Sequence, residues 1–104
     1  MRGVIWSCDR MNDGIEKLQY IRDRYIWSGV NVVREVYSRS NSWVEFDNGD
    51  KWYVASASEN SRGMKANIAW IDARVDDEVF RRIILPTLTS CNGPHYYEFF
   101  YAKE

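Results

Sequence analysis

The stretch Ser61-Arg62-Gly63-Met64-Lys65-Ala66-Asn67-Ile68-Ala69-Trp70-Ile71-Asp72-Ala73 constrains the fold most, because a largely apolar run stops abruptly at one carboxylate. A continuous apolar run has no wet face. It suits a strand buried on both sides, as in a parallel sheet covered by helices. Val4-Ile5-Trp6 repeats the pattern near the start of the chain. Parallel strands need crossover connections, and helical periodicity appears where those crossovers would fall. Asp13 and Glu16 form a capping-box pair, Ile15, Leu18, Ile21 and Tyr25 recur at helical spacing, and Gly29 marks the stop. After the second apolar run, Asp76 is placed to cap a helix whose stripe is Val79, Phe80, Ile83, Ile84 and Leu88. Arg81 and Arg82 then face water, and Pro86 ends or kinks that helix.

Residues 32–37, 43–46 and 51–56 are β-rich. Asn48-Gly49 lies between the last two and suits the positive φ angles of a tight hairpin turn. Residues 96–101 form a last strand crowded with Tyr96, Tyr97, Phe99, Phe100 and Tyr101. The expectation is one α/β domain over residues 1–104. Its core is a small, partly parallel three-strand sheet (residues 4–7, 67–71 and 97–101) with two helices and an antiparallel hairpin attached at one edge.

Composition narrows the functional classes. A chain of 104 residues can bury a single core without metal or disulfide help. Hydrophobic content of 45% with 28% charged residues is that of a globular chain, so disorder is not expected. Aromatic content of 15%, with five Trp and seven Tyr, is more than so small a chain can hide, so some rings should surface as a patch. The net charge of −1 provides no overall basic field for nucleic acid, which leaves local clusters as the only route to it. Apolar runs fall far short of the roughly 20 residues of a membrane span, and Val4-Ile5-Trp6 is too short for a signal peptide, so no membrane partner is expected. Cys8 and Cys91 alone make no disulfide framework, which points to a reducing cytoplasm.

Several residues are candidates for chemistry. Asp72, at the end of a buried strand, has the placement of an acid that grips Mg²⁺-nucleotide, or more plainly of a strand terminator. Asp76, Asp77 and Glu78 add carboxylates, although acids in a first helical turn are favoured by the helix dipole alone. Arg62, Lys65 and Arg74 flank the same strand and are candidates for phosphate or nucleic-acid contact. Trp43, Trp52 and Tyr53 on the hairpin are candidate stacking surfaces for bases, or cross-strand pairs. Cys91 and His95 with Cys8 lack the paired spacing of a zinc site, and no third group marks a Cys–His nucleophile. For assembly, Tyr97, Phe99 and Tyr101 are the candidate interface.

A family resemblance joins these pieces. The hairpin "F-D-N-G-D-K-W-Y-V", the segment "S-R-G-M-K-A-N-I-A-W-I-D-A" and the helix "I-I-L-P-T-L", in that order after a strand and helix, resemble the central part of the ATPase domain of phage terminase large subunits. The resemblance spans roughly residues 4 to 90 and is most specific from Arg62 to Asp72. It implies a RecA-like sheet, with Asp72 matching the Mg²⁺-coordinating acid and Ala73 standing where the family carries its catalytic glutamate. No G-x-x-x-x-G-K-[ST] loop occurs in the chain. The implied protein is a RecA-like remnant lacking that loop, with neither ATPase activity nor a Mg²⁺-nucleotide cofactor. It is expected to be a non-catalytic phage or prophage protein in the cytoplasm of a bacterial or phage-infected host. Its partners would be other proteins, including a second copy of itself through the C-terminal strand. The alternative is a small nucleic-acid-binding module using Arg62, Lys65 and the hairpin aromatics.

Overall fold

A computed structural model describes residues 1–8, 10–39, 41–57, 65–89 and 96–101. Its elements run β1 (Arg2–Ser7), α1 (Met11–Trp27), β2 (Val32–Val36), β3 (Ser42–Phe46), β4 (Lys51–Ser56) and β5 (Ile68–Asp72). A helical stretch follows, made of α2 (Asp77–Val79), a π-helical turn (Phe80–Ile84) and α3 (Leu85–Thr89), and then β6 (Tyr96–Phe100). All six strands belong to one mixed sheet in the order β2-β3-β4-β1-β5-β6.

The expected three-strand sheet with a peripheral hairpin is therefore incorrect. β1, β5 and β6 are parallel neighbours, but β4 also pairs parallel to β1, so β2, β3 and β4 make up half of a continuous six-stranded sheet. Complementary shape explains this placement. Gly3 of β1 lies opposite Trp52 of β4, and a Cβ on Gly3 would fall 2.4 Å from the indole. The ring lies across the bare backbone, while Ile5 pairs with Val54 one step on. These side chains share a face with Val44 and Phe46 and pack beneath α1. The opposite face of the central strands carries Val4, Trp6, Ala69 and Ile71, covered by Ile84 and Leu88 of the second helical stretch. Strands β1 and β5 are thus buried on both faces, as their unbroken apolar runs require.

Helix α1 sits unusually close to the sheet at Gly14, where a Cβ would meet Val54 at 2.6 Å. Its N-cap is Arg10 without a side-chain bond, so Asp13 is a buried first-turn residue and not the cap. The C-terminus closes as a Schellman motif: Gly29 N–H donates to the Ile26 carbonyl, Val30 N–H to that of Tyr25, and Gly29 has φ +92. At the hairpin only Gly49 takes positive φ, and Asn48 does not. The loop is a three-residue connection, with Gly49 N–H donating to the Phe46 carbonyl and Phe46 N–H to that of Asp50. Asp76 caps α2 by accepting from Glu78 N–H at 2.8 Å. The π-helical turn ends two residues before Pro86, whose ring would press on the carbonyl four residues back in a regular helix. No described helix is long and apolar enough to cross a membrane.

Candidate functional site

Strands β1, β4, β5 and β6 all end on the same side of the molecule, and α1 and α2 both begin there. From β1 the chain crosses by α1 over one face to β2 at the far edge and returns through β3 to β4, whereas from β5 it crosses over the other face to β6. Open α/β sheets place ligands at such a divide, beyond the carboxyl ends of the central strands. Asp72 stands there, fully buried.

Both of its carboxylate oxygens are engaged by Arg74. Oδ1 accepts from the Arg74 backbone N–H at 2.9 Å and from Nε at 3.1 Å, and Oδ2 accepts from the guanidinium at 2.7 Å. The same guanidinium nitrogen donates to Oδ2 of buried Asp13 at 2.8 Å. The Cys8 thiol donates to the Arg74 carbonyl, and the Ser7 hydroxyl to that of Arg10. One half-exposed arginine therefore ties together the end of β5 and the start of α1. These bonds hold the Asp72 carboxyl below its ordinary range, working against its burial, and raise Arg74 further above its own. Asp72 and Arg74, expected to face metal and phosphate, face each other. Among the described residues no three His, Cys, Asp or Glu side chains converge as a metal site.

The other candidates are dispersed. Lys65 is exposed ahead of β5, at the end of the strand away from Arg74. Arg62, Cys91 and His95 lie outside the described residues. Trp52 is core, whereas Trp43 and Tyr53 are half-buried directly opposite each other on β3 and β4. Asp13 escapes sequence reading as a site member because its partner lies 61 residues away.

The aromatic strand occupies the sheet edge. β6 pairs with β5 alone, and among the described residues nothing pairs with its outer side. Tyr97 and Phe99 project toward the second helical stretch and meet Phe80, with ring centroids 5.2 and 5.4 Å away. Both remain more than two-fifths exposed, and Tyr101 just beyond is 87% exposed. On the other face Tyr96 donates to Glu98 at 2.8 Å. Lys17 of α1 lies over Trp70 at 4.0 Å and Phe100 at 5.6 Å. Burial lowers the Lys17 pKa, partly offset by the charge of Glu98.

Comparison with known protein families, curated proteins and solved structures yields no match to this chain.

Proposed function

We propose that this chain is a non-catalytic interaction module that assembles with a second copy of itself along β6. The observation that carries this reading is the outer edge of β6, with backbone groups unpaired among the described residues and Tyr96, Tyr97, Phe99 and Tyr101 exposed beside them. Such an edge is a template for another strand. A twofold axis through the strand joins two β6 strands antiparallel and makes the interface self-complementary. Centring the axis on Glu98 would set that carboxylate against its own copy, which is unfavourable. Centring on Tyr97 sets Tyr96 opposite Glu98 of the other copy, with phenol and carboxylate side by side, and is the favoured register.

The non-catalytic part is supported by the engagement of Asp72 with Arg74, which leaves neither oxygen of the acid facing an open position. A phage or prophage source is supported by the resemblance carried from Arg62 to Asp72, and a cytoplasmic setting by Cys8 and Cys91 making no disulfide framework. Sedimentation equilibrium from low to high micromolar concentration tests assembly, with a concentration-dependent dimer expected for the native chain and a monomer for Phe99→Lys. A native chain that stays monomeric throughout refutes the module. ATP turnover lost in Asp72→Asn would refute its non-catalytic character.

A further inference from the structure

The second helical stretch covers β1 and β5, and among the described residues no helix covers the same face over β2 and β3. Strand register fixes what that half displays, with Arg2, Arg34 and Val36 exposed and Trp43, Glu45, Lys51 and Tyr53 half-buried. One row across the strands is Val36, Trp43 and Tyr53; the next is Arg34, Glu45, Lys51 and Arg2. Lys51 does not simply extend into water: its ammonium lies 4.9 Å from the Trp43 ring centre and 5.3 Å from that of Tyr53. The Arg2 guanidinium, from the same row as Lys51, lies 5.5 Å from the Tyr53 ring centre. Lys65 is two residues before Asn67, whose backbone N–H donates to the Arg2 carbonyl at 2.8 Å. Glu45 is the one acid in the two rows, so this patch is locally positive on a chain whose net charge is −1.

We infer that this face, which no described helix covers over β2 and β3, is a binding platform for single-stranded nucleic acid. Two rings on adjacent strands provide a surface on which successive bases stack whatever their identity. Cations interleaved with the rings then neutralise the phosphates between those bases. The same arrangement fits a protein partner poorly, since protein interfaces concentrate apolar residues at the centre and place charges at the rim. Here the ammonium stands between the rings. Lys51 holds the place over Trp43 and Tyr53 that a base takes on binding, and then turns to the backbone phosphate. The surface is separate from β6, so it operates in monomer and dimer alike.

Fluorescence anisotropy of a labelled 12-nucleotide single strand, DNA and RNA in turn, tests the inference at low salt on the full chain. Binding should weaken with salt at a slope of about −2 on logarithmic axes, since each neutralised phosphate of a single strand contributes about 0.7 and Arg2, Arg34 and Lys51 are available. Trp43→Ala should weaken binding by about tenfold through lost stacking. Lys51→Glu leaves both rings in place, and should weaken binding while making the salt slope shallower. Arg24→Glu on α1, an exposed position away from this face, should change neither. Absence of binding at 100 µM protein, an equal loss in Arg24→Glu, or affinity unchanged in both Trp43→Ala and Lys51→Glu would each overturn the platform. Repeating the titration on Phe99→Lys separates this outcome from the fate of the dimer.

Discussion

The carboxyl ends of the central strands and the outer edge of β6 lie on one sheet yet handle polar groups in opposite ways. At the strand ends the needs are met internally: Arg74 reaches two buried carboxylates, and Asp72 accepts three hydrogen bonds from it. At β6 a row of backbone groups is left unpaired among the described residues, and Tyr96, Tyr97, Phe99 and Tyr101 stay exposed beside it. A ligand site in an α/β protein ordinarily lies at the first of these places. In this chain that place is latched, and the unmet requirement has moved to the edge. The location of unsatisfied groups, more than the location of conventional ligand crevices, therefore directs the functional reading.

The largest effect should come from making the edge resemble the latch, by giving it a charge. Phe99→Lys puts an ammonium among Tyr97, Phe80 and the opposing strand, where a dimer would bury it. Self-association should weaken by at least about 100-fold, since edge charges are the usual defence against strand addition. Sedimentation velocity reads the change directly. A variant that still dimerises with native affinity would remove β6 from the interface and erase the contrast.

Opening the latch should act on stability and leave assembly alone. Hydrogen bonds to charged groups contribute about 1.5–3 kcal/mol each, but a half-exposed guanidinium is screened, so Asp72→Ala should cost about 1–2 kcal/mol in urea unfolding. The pH dependence has a definite sign. The folded Asp72 pKa is depressed below its ordinary 3.8, so its contribution is present above that pH and fades as pH falls through the folded value. The native chain should lose stability below about pH 4 more steeply than Asp72→Ala. Equal acid sensitivity in the two proteins would show that the pair is not coupled to folding.

How much of this contrast was readable from sequence depends on how local each determinant is. The parallel neighbours β1 and β5 follow from unbroken apolar runs, because burial on both faces writes itself into every residue of the strand. The Asn48-Gly49 turn identifies the β3–β4 hairpin, but says nothing of the strand that takes the other side of β4. That choice depends on Gly3 lying bare beneath Trp52, a fit between residues 49 positions apart. The end of the strand at Asp72 was visible, and Arg74 two residues on offered a counter-ion. Asp13 did not, since only the folded crossover brings the start of α1 to that end. Pro86 signalled an irregular helix, which takes the form of a π-helical turn before it, with the helix continuing to Thr89.

A third region, beneath α1, extends the closed side of the comparison to the alkaline range. Tyr25 stacks on Phe46 with ring centres 4.0 Å apart, donates to Asp50 at 2.8 Å and accepts from the Trp52 indole N–H at 3.1 Å. Burial foremost, with help from Asp50, pushes its phenol up to about 12. A raised pKa stabilises the fold below the ordinary value of 10.0 and is lost as pH climbs through the folded one. Stability should therefore decline between pH 10 and about 12, and Tyr25→Phe should remove that part of the decline. Removing the hydroxyl also leaves the indole donor unpaired, at a cost of about 1 kcal/mol near neutral pH. Thermal unfolding at pH 7 and pH 11 separates the two effects.

The smallest effect is expected at the far edge of the same sheet, which serves as the internal reference for β6. Strand β2 is also unpaired on its outer side among the described residues, yet it carries the protections that β6 lacks. Its register slips between Val32 and Arg34, and such a bulge twists the edge away from an incoming strand. Arg34 and Glu35 place charges along it, and Glu35 is held by Arg22 of α1 at 3.0 Å. Val36 is its exposed apolar counterpart to Phe99. Val36→Lys should alter stability by no more than about 0.5 kcal/mol and leave the oligomeric state unchanged, as for an ordinary surface substitution. Loss of dimer in Val36→Lys but not in Phe99→Lys would place the interface at β2, and the assignment of the two edges would be reversed.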